Sequence, residues 1–222
     1  MPGGAKFCSK CGSQMLAAVA QPVSSPLPKI SAQHSTSMFG FGKKAIPLGE
    51  LAEVLANAAL CFLRNPTEQD LMLQSQAAAV GMDRTRFLLE ASALQYFTVI
   101  ASINTRRLTG GMREEQASRV MEEMFHSHYR KFHDGLPLRI IMDFGLLDLD
   151  IEDAFDFISK RSDEYIEPKN YLTVPSNIQV PRLFAHFCGV LDPNDVLQRI
   201  GWSIFVIRGA MYVDIMKGLK IV

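Results

Sequence analysis

The sequence predicts an all-α protein, a bundle of six to eight helices behind a short N-terminal head and a flexible linker. Three observations predict it. Apolar residues recur at three- and four-residue spacing from Leu51 onward, the period of a helix with one buried face. Start and stop signals punctuate that pattern at Asn65-Pro66, Asp83, Gly110-Gly111 and Asp192-Pro193. No stretch alternates apolar and polar residues between hairpin turns, so no strand is expected.

The elements follow in order. Leu51, Val54, Leu55, Ala58 and Phe62 share one helix face. Asn65-Pro66, with Glu68 two residues after the proline, forms a capping-box pattern that opens a second helix, which runs to Gly81. Asp83 caps a third, carrying Phe87, Leu88, Ala91, Leu94, Tyr96 and Ile103, and Gly110-Gly111 stops it. A fourth spans roughly 112–133, with Glu114 and Glu115 at its positive end and Arg130 and Lys131 at its negative end. Residues 134–149 read as a short helix or a loop lying on the core. A fifth helix carries the stripe Ile151, Ala154, Phe155 and Ile158. Pro168, Pro175 and Pro181 mark 168–181 as a connector, followed by a short helix over 182–189. Asp192-Pro193 starts a last long helix through Trp202, Ile207 and Met211 to about Met216.

Ahead of this helical domain (47–222) lie a head (1–18) and a linker (19–46) rich in Pro, Ser, Ala and Gln. The head is too small to fold on apolar burial alone. With 48% hydrophobic and 21% charged residues, the composition excludes a wholly disordered, collagen-like or coiled-coil chain. Lys+Arg and Asp+Glu are both 23, so no overall basic excess points to nucleic acid. The balance is uneven, however. The five lysines at 6, 10, 29, 43 and 44 precede the first acidic residue, Glu50. This tail reads as a solvated segment, with a weak basic arm for an anionic partner as the alternative.

The N-terminus has no apolar core of the signal-peptide kind. The longest uncharged apolar stretch, Ala91 to Thr105, is too short to span a bilayer, and Arg199, Arg208 and Asp214 break the C-terminal one. A soluble, cytoplasmic chain in a reducing compartment is expected, with peripheral membrane contact by the apolar last helix left open.

Phe7-Cys8-Ser9-Lys10-Cys11-Gly12 is the most informative segment. Two thiolates two residues apart on a tight turn can both reach one tetrahedral zinc ion. Gly12 tolerates the left-handed backbone that such a knuckle needs, and Lys6 and Lys10 favour the thiolates. The run KFCSKCGSQM resembles the first knuckle of short N-terminal zinc ribbons of bacterial and archaeal proteins. The resemblance covers about ten residues and implies zinc held by Cys8 and Cys11 with a second CxxC downstream. The sequence supplies no second CxxC, the other cysteines being Cys61 and Cys188 inside helical stretches. Three completions stand open: two chains sharing one four-thiolate site, His34 or Cys61 completing a site within one chain, or a remnant that holds no metal. A redox CxxC is disfavoured because no strand-to-helix junction is apparent.

Elsewhere, Glu123 and His126 have the ExxH spacing of di-iron bundles, and Glu90 is a second carboxylate on an apolar face. No second ExxH completes that set. His126, His128 and His133 cannot chelate one ion on a helix, since 126 and 128 point about 200° apart. His128 shares a stripe with Val120, Met124 and Phe132 and reads as a hydrogen-bonded core histidine. Asp148, Asp150, Glu152 and Asp153 read as acids drawn to a helix start. There is no GxxxxGK[ST], GxSxG or HExxH, and no nucleophile with an identifiable base. The 11 methionines are expected mainly to fill the core. The function expected is therefore a zinc-binding interaction or regulatory protein. Its head supports self-association or docking and its helical body binds a partner. The alternatives are a helical ligand-binding or metal-dependent enzyme domain, and weak nucleic-acid binding by the basic N-terminal segment.

Overall fold

The computed structural model describes residues 44–135, 151–167, 175–189 and 195–222. The head, most of the linker, His34 and the segment 136–150 lie outside these residues. Among the described residues the chain is an all-α bundle of eight helices and one short strand pair.

The strand pair is a departure from the sequence expectation. β1 (Lys44–Ile46) and β2 (Leu219–Ile221) lie parallel, with Ala45 opposite Lys220. Val222 N donates to Ile46 O and Leu48 N donates to Val222 O, each at 3.1 Å. Strands of three residues are too short to display alternation, and their pairing joins the two ends of the helical body.

α1 (Leu48–Ala59) buries Leu51, Ala52, Leu55, Ala56 and Ala59. The expected face is therefore rotated: Val54 is exposed, and the small side chains Ala52 and Ala56 turn inward. The helix does not run through to Phe62. It breaks at Leu60, and α2 (Cys61–Arg64) follows as one separate turn that buries Phe62 and Leu63.

α3 (Glu68–Ala79) starts two residues later than the expected cap implies. Thr67, not Asn65, is the N-cap, and Asp70 is its capping-box partner. Thr67 N donates to Asp70 Oδ2 at 2.7 Å, and Asp70 N donates to Thr67 Oγ1 at 3.2 Å. Two overlapping capping patterns occur in Asn-Pro-Thr-Glu-Gln-Asp, and burial of Asp70 selects the second.

α4 (Arg84–Leu108) is the central helix and touches all of the other seven helices. That placement explains why its buried residues include Glu90, Ser92, Gln95, Thr98 and Ser102 as well as apolar side chains. Asp83 caps it as expected, its Oδ1 accepting from Arg86 N at 2.8 Å. Gly110 ends it at φ 70°, a conformation that costs glycine little.

α5 (Glu114–Gly135) lies along α1, and α6 (Ile151–Ile166) lies along α4. α6 buries Ala154, Phe155 and Ile158 of the expected stripe. α7 (Ser176–Phe187) begins six residues before the expected helix and carries Pro181 inside it. The connector reading of Pro181 is thus corrected. Its missing N–H frees only the carbonyl of Asn177, an exposed residue that water can satisfy.

α8 closes the bundle. It runs as Asp195–Trp202, a π-helical turn Ser203–Ile207, and Arg208–Lys217. Gly201 lets α7 and α8 approach closely, since a Cβ there would stand 3.1 Å from Pro181 Cα.

Candidate functional site

The two expected zinc ligands, Cys8 and Cys11, lie outside the described residues, as does His34. Among the described residues no group of three or more His, Cys, Asp and Glu side chains is placed to hold a metal ion. Cys188 is buried. Cys61 is half-buried, and Arg208 Nη1 donates to its sulfur at 3.4 Å. Burial, reinforced by the Asp70 carboxylate, pushes the Cys61 thiol up to about 12. A thiol so held is a poor completing ligand for zinc at neutral pH.

Cys61 belongs to a buried polar network that joins α2, α3, α4 and α8. Arg208 pairs with Asp70 and donates to Gln95 Oε1 at 3.4 Å. Gln95 Nε2 bonds the Tyr212 hydroxyl and donates to Ala58 O at 3.1 Å. The guanidinium also stands 4.9 Å from the centre of the Phe62 ring. Asp70 therefore serves twice, as the cap partner of α3 and as the counter-charge that seats α8. Helix periodicity does not signal this pairing, since it marks Arg208 and Asp70 only as charges interrupting apolar stripes.

A second buried charge lies between α4 and α6. Glu90 is fully buried, with Arg161 Nε 3.1 Å from Oε2. Arg161 lies 4.1 Å from the Phe187 ring centre and also pairs with Glu164. Arg86 ties the end of α7 by donating to Phe187 O at 2.7 Å. Burial outweighs both arginines and pushes the Glu90 carboxyl up to about 7.

The ExxH pair does not assemble a site among the described residues. Glu123 lies 3.9 Å from Arg119, and His126 is exposed beside Phe125. His128 is buried between Tyr96 and Phe155, at ring-centre distances of 4.7 and 5.5 Å. Burial brings its pKa down to about 4, so it is neutral at physiological pH. His133 is half-buried against Tyr129. Asp148 and Asp150 lie outside the described residues, and Glu152 and Asp153 fall in the first turn of α6.

A groove of about 470 Å³ runs between α4 and α8, lined by Thr98, Ser102, Thr105, Phe205, Gly209 and Val213 among others. Its three hydroxyls already donate to carbonyls one turn back on α4, at 2.7, 2.7 and 2.8 Å. Its other polar lining is the Asp214–Lys217 ion pair, at 2.7 Å.

The more distinctive surface lies on another face of α8. Trp202, Ile207, Met211 and Ile215 are 46%, 46%, 40% and 49% exposed. Their spacing of five, four and four follows the helix itself. Residues five apart stack over one another across the π turn, and residues four apart do so across the α-helical turns. The π turn thereby brings Trp202 into line with the other three, whereas a regular α-helix would turn it well away. No feature of the sequence announces a π turn, and this strip was not anticipated. On α3, Leu71 and Met72 are also exposed, next to the Asp70 that pairs with Arg208. No described helix is long and apolar enough to cross a membrane. Comparison with protein-family models, with curated proteins and with solved structures finds no match to this chain.

Proposed function

We propose that the chain is a zinc-binding interaction protein, with Cys8 and Cys11 supporting self-association or docking and the helical body contributing a binding surface. The observation that carries the interaction half is the exposed apolar strip Trp202, Ile207, Met211 and Ile215. Large contiguous exposed apolar patches mark contact surfaces, whereas single exposed apolar side chains are ordinary. The buried Asp70, Glu90 and Arg208 and the half-buried Arg161 form two ion pairs, Asp70–Arg208 and Glu90–Arg161, and serve the packing of the bundle.

The zinc half rests on the CxxCG knuckle. Of its completions, the site shared between two chains is the one proposed, because Cys61 is occupied by Arg208 and held protonated. Four thiolates would satisfy tetrahedral zinc and join two heads. Zinc content measured together with molecular mass tests this reading. One zinc per two chains in a tight dimer that Cys8→Ser/Cys11→Ser loses, together with the metal, supports it. Full-length reduced protein that takes up no zinc contradicts it.

A further inference from the structure

We propose that Glu90 is a proton-operated latch on the C-terminal end of α7. Its neutral carboxyl lets two arginines hold Phe187 in place, and loss of the proton lets that end lift from α4 and uncover Cys188.

Three helices meet at this buried carboxyl. Glu90, on α4, is fully buried, and neither of its oxygens has a hydrogen-bond partner among the described residues. Arg161 of α6 brings Nε within 3.1 Å of Oε2 without the alignment of a hydrogen bond. The same guanidinium lies over the Phe187 ring and reaches outward to Glu164. Arg86, one turn before Glu90, donates to Phe187 O. One arginine thus holds the ring of Phe187 and the other its carbonyl, and both act on the Glu90 carboxyl. The chain then passes close over Arg86: Gly189 has a φ of 71°, and a Cβ there would stand 2.8 Å from Arg86 Nη2. Cys188, between Phe187 and Gly189, caps α7 and is buried near Glu90. The charged and titratable groups that face Glu90 are therefore Arg86 on its own helix, Arg161 and Glu164 on α6, and Cys188 at the end of α7.

A neutral carboxyl tolerates this burial, whereas a carboxylate without hydrogen bonds does so only at high cost. Opening the end of α7 relieves the carboxylate in two ways. Water reaches it, and Arg86 and Arg161 are released from Phe187 to turn toward it. Burial holds the carboxyl of the closed form up to about 7, above the ordinary glutamate range, so the closed form binds the proton more tightly than the open one. Rising pH therefore favours opening. With an ordinary carboxyl in the open form, the opening constant rises about tenfold between pH 6 and pH 8 and levels off above that. Histidine also changes charge in this range. His186 adjoins Phe187 at a ring-centre distance of 5.8 Å, and His186→Gln separates its effect from that of Glu90.

Amide hydrogen exchange of the full reduced chain, followed by mass spectrometry from pH 6 to pH 8 and divided by the intrinsic rates, reads the opening. The amides of Cys188 and Gly189 report it directly, since they donate to Phe184 O and His186 O in the closed end. Alkylation of Cys188, resolved by peptide mapping and corrected for the thiolate fraction of the unfolded chain, reads it independently. The expected result is an opening constant at residues 184–189 that rises about tenfold over this range, with Cys188 labelling rising in step. At every pH that end opens more readily than α1 and α5. Glu90→Gln, which holds the neutral form, is expected to flatten both rises, and His186→Gln to keep them. Wild-type protein without the rise overturns the latch, as does Glu90→Gln that retains it. Loss of the rise in His186→Gln assigns it to the histidine and overturns the latch too. An end of α7 that opens with the same constant as α1 and α5 is exchanging by global unfolding, which likewise overturns a local latch.

Discussion

Replacing Glu90 by glutamine tests how the bundle tolerates its most deeply buried carboxylate. In the folded chain burial pushes the Glu90 carboxyl up to about 7, well above the ordinary range of a free glutamate. Burial is the first cause, and Arg161 and Arg86 offset it only in part. The folded state therefore holds a proton that the unfolded chain releases between pH 4.5 and 7. Stability from this group is greatest at acid pH and falls as pH rises to 7. Holding the carboxyl at about 7 rather than in its ordinary range is worth about 3 kcal/mol. His128 works in the opposite sense. Its folded value of about 4 lies below 6.5, so its contribution is complete above pH 6.5 and is lost as pH falls toward 4. The two terms are similar in size and opposite in sign, and they largely cancel between pH 4.5 and 6.5. Urea unfolding at pH 5, 6, 7 and 8, analysed as a two-state transition, reads both. Glu90→Gln is expected to gain on wild type as pH rises, reaching an advantage of up to about 3 kcal/mol above pH 7. Such a variant that is less stable than wild type at pH 8, with an unchanged difference at pH 5, would refute the reasoning. Arg161 would then outweigh burial, and Glu90 would be an ordinary paired carboxylate.

Three further outcomes follow from the packing. Arg208→Met leaves Asp70 buried without its counter-charge and should cost about 3–5 kcal/mol in denaturant unfolding, whereas Asp70→Asn/Arg208→Met should recover part of that loss. Thr67→Ala should cost about 1 kcal/mol and Asn65→Ala much less, and equal losses would show that the cap of α3 is misassigned. Gly111→Ala drives a Cβ into the Arg106 guanidinium, which donates to Gly111 O at 3.1 Å, and should lower stability by about 1–3 kcal/mol. Thermal unfolding of that variant beside Gly81→Ala separates crowding from backbone strain, because the space at Gly81 is open although its φ is 81°.

The elements that sequence reasoning placed well carry their own local signals. Asp83 caps α4 through its own side chain, and Gly110 ends that helix through its own backbone freedom. The departures arise where tertiary contacts decide between local alternatives. Thr67 prevails over Asn65 as a cap because Asp70 must also meet Arg208, a residue far along the chain. Pro181 reads as a breaker until its freed carbonyl partner proves to be exposed. β1 and β2 are invisible locally because each exists only through the other. The same holds for the surface. Trp202, Ile207, Met211 and Ile215 are all evident as apolar residues of a last helix, yet their alignment depends on a π turn that no local pattern signals. Cys8 and Cys11 stand at the other extreme: their chemistry is legible in spacing alone and lies outside the described residues.

Zinc content by elemental analysis, taken together with mass from light scattering, tests the central claim most directly. It is measured on reduced full-length protein and on Cys8→Ser/Cys11→Ser. The account predicts about half a zinc per chain in a wild-type dimer, as four thiolates from two chains require, with both the metal and the tight dimer lost from the variant. A monomer at the same concentration with no zinc would contradict it.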